Sequence, residues 1–233
     1  TPQPSVVATI PGTTLPGQIV IVGAHEDSIR SGCSGNPTCT APGADDDASG
    51  VATISEALRV LLASGVRPQR TIQFMAYAAE EVGLDGSDDI AGDYAAAAKQ
   101  VVAVLQQDMT AYQGSVTDVT LIQDTAYTNS ELNQFLGAIV DTYLPALTRG
   151  TSNCGYGCSD HASWNVRGYP AAMAFEAPYP GSYNTALHTP QDTVATFGGT
   201  AAHAAKFARI AVAVAVEAAL DWTADIFSDG FES

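Results

Sequence analysis

"GQIVIVGAH", residues 17–25, is a β-branched, almost unbroken apolar run that ends on glycine, alanine and histidine, and it reads as a strand buried on both faces. Beyond a loop that contains "APGADDDASG" (41–50), "SGVATISEALRVLLASG" (49–65) opens with a Ser cap, carries apolar residues at helical spacing and closes on Gly65. That pattern predicts a helix. The alternation continues along the chain. "RTIQFMAYAAEE" (70–81), "VVAVLQQDM" (101–109), "DVTLIQD" (118–124) and "YPAAMAFEA" (169–177) read as strands. "GSDDIAGDYAAAAKQ" (86–100), "NSELNQFLGAIVDTYL" (129–144) and "TAAHAAKFARIAVAVAVEAALDW" (200–222) read as helices. Strands alternating with helices predict an α/β fold: a mixed, largely parallel β-sheet sandwiched between helices.

At 233 residues with no recognisable linker or repeat, the chain is expected to form a single domain over 1–233, with the acidic, aromatic end 226–233 as a surface tail. Apolar residues make up 46% of it, enough for a sizeable core, and no apolar run reaches the roughly 18 to 20 residues of a membrane helix. Nine basic residues against 25 acidic ones give a net charge of -16, which repels phosphate backbones and anionic lipids. Neither nucleic acid nor membrane is expected as a partner.

The four cysteines form two close pairs, Cys33 with Cys39 and Cys154 with Cys158. Two local disulfides are the natural reading; a four-thiolate zinc site is the rival, although no CxxC is present. Disulfides imply an extracellular protein. The sequence begins at Thr1 without a basic and apolar leader, so a secreted protein would be a processed product.

In such sheets ligands bind at the carboxyl ends of strands, and the polar residues fall there. His25 ends the first quoted strand, Glu80 and Glu81 end the second and Asp108 the third, while Asp45, Asp46 and Asp47 crowd one loop. Asp27, two residues after His25, is placed to hold the second imidazole nitrogen through its carboxylate. Two adjacent buried acids such as Glu80 and Glu81 are costly without a cation. With His188 from "TALHTPQDT" (185–193), these residues supply mixed nitrogen and oxygen donors suited to two zinc ions. Two ions about 3.5 to 4 Å apart need a group that binds both, and the middle aspartate, Asp46, is the candidate.

"GAHEDS" (23–28), "APGADDDASG", "MAYAAEEVGLDGS" (75–87), "LQQDMT" (105–110), "CGYGCSDHASW" (154–164) and "LHTPQDT" (187–193), in that order, resemble the secreted bacterial leucyl aminopeptidases of the M28 family of co-catalytic zinc peptidases. The resemblance runs from residue 18 to 196 and implies that family's zinc-exopeptidase fold. It implies that one zinc takes His25 and Asp108, that the other takes Glu81 and His188, and that Asp46 bridges them. Glu80 is similar to the family's general base, Asp27 to the partner of His25, and Tyr156 to the phenol that steadies the tetrahedral oxyanion. The pocket for the N-terminal side chain is implied at Met109, Ile122, Met173, Phe175 and Leu187, all apolar, which favours leucine-like residues. The resemblance further implies a cis peptide at Asp46-Asp47, a monomer, and peptide substrates with a free N-terminus. The family usually carries several tens of residues before the point where this sequence starts, so either a compact variant or a piece of a longer chain is expected.

Three other readings are open to the same residues. "CSDHASW" could suggest a serine hydrolase with Ser159 as nucleophile, but Gly157, Ser159 and His161 stand where a G-x-S-x-G elbow needs Gly, Ser and Gly. A metal-binding domain without activity would not need Glu80. Sister activities on the same fold are carboxypeptidase, dipeptidase and glutaminyl cyclase. A carboxypeptidase needs a cation for the substrate carboxylate, and Arg30, Arg149 and Arg167 have no obvious place in the site.

Overall fold

A computed structural model describes residues 3–33, 36 and 38–220. The expected tail at 226–233 lies outside them. Among the described residues there are seven strands: β1 (Val6–Ile10), β2 (Leu15–His25), β3 (Arg70–Tyr77), β4 (Gln100–Gln107), β5 (Val119–Ile122), β6 (Arg149–Ser152) and β7 (Ala171–Phe175). They form one sheet in the order β1-β3-β2-β4-β7-β5-β6. The central block β3-β2-β4-β7 is parallel; β1 runs antiparallel to β3, and β7 antiparallel to β5. Five helices accompany the sheet among the described residues: α1 (Ala48–Ser64), α2 (Asp85–Ala96), α3 (Ser130–Tyr143), α4 (His161–Asn165) and α5 (Ala204–Ala219).

The apolar character of β2 on both faces has a direct structural counterpart. Val20, Val22 and Ala24 enter one core with α1, α3 and α5; Ile19 and Ile21 enter the other with Met75, Tyr77, Ala91 and Trp164. Each face therefore holds its own helices. In α1 the core positions Ile54, Ala57 and Leu61 recur at helical spacing, as do Phe207, Ile210, Ala211 and Val214 in α5. Trp164 is fully buried and donates from Nε1 to the Tyr77 hydroxyl at 3.0 Å, so the second core satisfies its polar atoms internally.

The expected elements differ from the structure in several places, among them β3, which ends at Tyr77 and not at Glu81. The N-cap of α1 is Asp47 rather than a serine; its side chain accepts from Gly50 N, while Ser49 lies inside the first turn and donates to Asp45 O. Strands β1 and β6 and the five-residue helix α4 have no counterpart in the sequence reading.

Chain order places the site. From β2 the chain moves by α1 to β3 on one side, then returns by α2 to β4 on the other. The carboxyl ends of β2 and β4 therefore flank the point where the winding direction reverses, which is where such sheets open a crevice.

Candidate active site

His25 closes β2 and Asp108 follows the end of β4, one on each side of that crevice. Glu80 and Glu81 lie three and four residues beyond Tyr77, in the turn before α2 rather than at the strand end itself. Asp46 comes from the β2–α1 loop and His188 from the long segment after β7. His25 Nε2 lies 3.1 Å from Asp46 Oδ1 and 3.6 Å from Asp108 Oδ1. His188 Nε2 lies 3.0 Å from Asp46 Oδ2 and 2.7 Å from Glu81 Oε2. Two donor groups, His25–Asp46–Asp108 and Asp46–Glu81–His188, thus meet at one carboxylate that turns a different oxygen to each.

The electrostatics of this cluster ask for cations. Burial pushes Glu80 up to about 9, with Asp108, Asp160 and Glu81 pushing the same way and His25 opposing. Burial also works against an ionised Asp46, but hydrogen bonds from His188 and His25 outweigh it and hold the group down at about 2. His188 rises to about 10 through its hydrogen bonds to Asp46 and Glu81. Burial lowers His25, yet the Asp108 charge and the surrounding carboxylates carry it well above the usual imidazole range. Carboxylates buried this close together call for positive charge among them, which metal ions would supply. Asp108 Oδ1 is buried without a hydrogen-bond partner, an orphan acceptor aimed into the first group. Mixed imidazole and carboxylate donors of this kind suit zinc.

The triple aspartate divides its work three ways. Asp46 faces the histidines. Asp47 accepts from Gly50 N at 2.9 Å, His25 N at 3.0 Å and Met109 N at 3.1 Å. Asp45 accepts from Ala111 N and Asn184 Nδ2, both at 3.0 Å. Asp192, four residues after His188, accepts the backbone N–H groups of Asp45 and Asp46. The Asp46-Asp47 peptide is cis. Gly50 allows α1 to start this close to β4, because a Cβ there would stand 2.1 Å from Gln107 O. Among the described residues, five non-glycine residues have positive φ, and Ala79, Leu84, Met109 and His188 are four of them. Unfavourable backbone conformations thus gather around the donor cluster.

Asp27 sits beside His25, but its side chain does something other than expected. His25 Nδ1 is held by the backbone carbonyl of Asp27 at 3.0 Å, while the carboxylate is 3.6 Å away, beyond hydrogen-bond reach. That carboxylate accepts instead from the N–H groups of Glu80 (3.0 Å) and Glu81 (3.2 Å), which ties the acidic turn to the end of β2.

A cleft of about 330 Å³ opens over Asp46, Glu80, Glu81, Asp108 and His188. Of the five residues at which the resemblance implies a side-chain pocket, Met109, Met173, Phe175 and Leu187 line this cleft. Ile122 does not: it is fully buried and packs behind Met109, Met173 and Phe175. Leu84, Tyr179 and Tyr183 were missed; the two tyrosines follow the quoted strand in "EAPYPGSY", a loop signal that carries no helical or strand periodicity. Both disulfides are formed, Cys33–Cys39 and Cys154–Cys158. The second brackets Tyr156 at the cleft, and Asp124 accepts from Cys154 N and Gly155 N to hold the same loop. Partial burial, with Tyr179 and the site carboxylates, pushes Tyr156 up to about 12, so it stays a hydrogen-bond donor.

The serine-hydrolase arrangement is not assembled. Ser159 is buried and accepts from Gln106 Nε2, and both ring nitrogens of His161 are buried without a partner. Arg149 and Arg167 pair with Asp141 and Asp88, away from the cleft.

Residues 5–213 match the sequence model of "Peptidase family M28". A "Probable leucine aminopeptidase" of the fungus Arthroderma otae is 46% identical over 196 residues, covering 82% of this chain and 52% of its own length. The crystal structure of the Legionella pneumophila LapA aminopeptidase superposes with a TM-score of 0.83 at 36% identity, covering 94% of this chain and 56% of that one. BSAP, "a zinc aminopeptidase from Bacillus subtilis", shares the fold, with a TM-score of 0.76 at 20% identity over 96% of this chain and 52% of that one. The chain spans about half the length of the curated relatives it matches.

Proposed function

The chain belongs to peptidase family M28, and from that premise we propose that it is a zinc aminopeptidase that releases large apolar, leucine-like residues from the free N-termini of peptides. The observation that carries this reading is Asp46, whose two oxygens face His25 and His188 at 3.1 and 3.0 Å and so join two donor groups. We assign His25 and Asp108 to one zinc, Glu81 and His188 to the other, and Asp46 to both. When bound, such ions supply Lewis acidity, making water nucleophilic near neutral pH and polarising the scissile carbonyl.

The remaining steps fall to side chains. Cations in the two donor groups would keep the buried Glu80 ionised, and a carboxylate oxygen of Glu80 then takes the proton of the attacking water and passes it to the nitrogen of the leaving amine. The Tyr156 hydroxyl donates a hydrogen bond to the carbonyl oxygen as it gains negative charge. Acidic side chains around the cleft attract the substrate α-ammonium, and the small volume suits one side chain rather than a length of peptide. Met109, Met173, Phe175 and Leu187 give that side chain an apolar seat. Two disulfides support secretion, and we read the protein as a secreted monomer. Among the described residues no helix is long and apolar enough to cross a membrane.

Hydrolysis of leucine p-nitroanilide and of its N-acetylated form tests the reading, after chelation and again after zinc is returned. Cleavage of the free-amine substrate alone, restored by zinc, is expected. Equal cleavage of both substrates, or cleavage that survives chelation, would refute it.

A further inference from the structure

A second cleft, of about 720 Å³, adjoins the first, and Glu81 lines both. Its wall includes Ser28, Arg30, Ser31, Asn36 and Val82. The backbone fixes Arg30 closely. Ile29 N donates to Glu81 Oε1 at 3.3 Å, and Ser31 N donates to His188 O at 2.9 Å. The residues on either side of Arg30 are therefore each tied to a member of the second donor group. Arg30 is half-buried and, among the described residues, forms no ion pair, whereas Arg59, Arg149, Arg167 and Lys206 are each engaged by a carboxylate. Among the described residues it is the one arginine or lysine lining either cleft, and the first cleft offers Asp46, Glu80, Glu81 and Asp108 beside His188.

Among the described residues of the second cleft, Arg30 is the cation an anionic group meets, with Glu81 as the opposing carboxylate on the side of the first cleft. A peptide held by its N-terminal residue in the first cleft continues past the zinc-side residues at roughly 3.3 Å per residue, so a group two residues beyond the cleaved bond lies within about 10 Å of it. Resting on the aminopeptidase reading above, we propose that Arg30 binds a substrate carboxylate in the second cleft. The carboxylate is the free C-terminus of a short peptide or an acidic side chain just beyond the cleaved bond. The planar guanidinium fits such a group in two-pronged fashion.

The test compares Leu-Gly-Gly, its C-terminal amide and Leu-Glu-Gly amide as substrates of the zinc-loaded chain, with leucine p-nitroanilide alongside. The two carboxylate-bearing peptides are expected to exceed the neutral amide about 5- to 10-fold in kcat/KM, chiefly through KM. Arg30→Gln should bring the ratio to one or below, and Arg30→Lys should keep part of it. Because the readout is a ratio within each variant, a general loss of activity cancels. Raising the salt from about 0.05 to about 0.5 M should shrink the wild-type ratio even if Arg30→Gln does not fold. A preference for the free C-terminus alone, or for the glutamate alone, identifies the source of the carboxylate and supports the assignment either way. Cleavage of the anilide with no carboxylate preference, or a preference that survives both Arg30→Gln and salt, removes the Arg30 assignment only. Failure to cleave the anilide removes the aminopeptidase reading and this inference with it.

Discussion

His25 and His188 stand on opposite sides of the Asp46 carboxylate, yet they are supported in different ways. His25 is 1% exposed, ends a central strand and has its second nitrogen held by Asp27 O; its partner Asp108 follows the neighbouring strand and is 6% exposed. His188 has a side chain 33% exposed, sits on the long segment after β7 and adopts a positive φ of 57°. One half of the cluster is built on the sheet, the other on loops at the mouth of the cleft. A shared ligand does not make the halves equivalent: sheet-borne donors are preorganised by the fold, while loop-borne donors depend more on what they bind. Two ions held this way should differ in affinity, with the His188 side emptying first.

The largest effect is expected where the halves meet. Asp46→Ala removes the shared donor, and kcat/KM for leucine p-nitroanilide should fall by about 10⁴-fold or more while bound zinc, counted by atomic absorption, drops to one per chain or fewer. Glu80→Gln should cost roughly 10³-fold in kcat but leave the zinc count unchanged, since the role proposed for this group is to move a proton and not to hold metal. Glu80→Gln with a lowered zinc count would move that residue into the donor set. His188→Ala should leave one tightly held ion and reduce kcat/KM by roughly 10²-fold, whereas His25→Ala should weaken both sites; stepwise chelation of the wild type should likewise show two phases. Simultaneous loss of both ions would break the comparison.

The fully buried His161, at the start of α4, offers a test that does not involve metal. Burial pushes His161 down to about 4 from an ordinary 6.5, so below pH 6.5 the unfolded chain binds a proton that the folded chain refuses. Stability from this group is complete above pH 6.5 and declines as the pH falls towards 4, by about 3 kcal/mol in all. Denaturant midpoints across that window should flatten in His161→Phe; an unchanged slope would mean that another group sets acid sensitivity. The smallest effect belongs to the loop side. Leu187→Ala removes apolar surface next to His188 and should raise KM for leucine substrates about 10-fold with a smaller change in kcat.

Part of this site could be read in the sequence because two of its donors, His25 and Asp108, sit at the ends of strongly patterned strands. "GQIVIVGAH" announces both the strand and the histidine at its end, and the winding of α/β chains then locates Asp108. What could not be read depends on contacts between distant segments. β6, "RGTS", has no apolar pattern and owes its form to pairing with β5; β1 is five residues long between prolines; α4 has only five residues. Periodicity needs longer windows than these. The insertion of β7 between β4 and β5 is likewise a matter of space, not order. Within the site, residue type showed that Asp27 belonged near His25, but not that its carboxylate would serve the Glu80–Glu81 turn while its carbonyl served the ring. Asp192 and Asp124, which accept backbone N–H groups, lay outside the ligand pattern because side-chain chemistry alone does not reveal such anchors.

The side chain of Asp47 accepts from N–H groups at His25, Gly50 and Met109, so the end of β2, the start of α1 and the end of β4 share one carboxyl group. The stretch from 26 to 44 leaves this junction and returns to it. Its length is thereby uncoupled from the spacing of the donors, and residues such as those between Cys33 and Cys39 can be added or removed while His25, Asp46 and Asp108 keep their positions. In an evolving or redesigned enzyme, this loop is the place where the choice of substrate can change without retuning the chemistry.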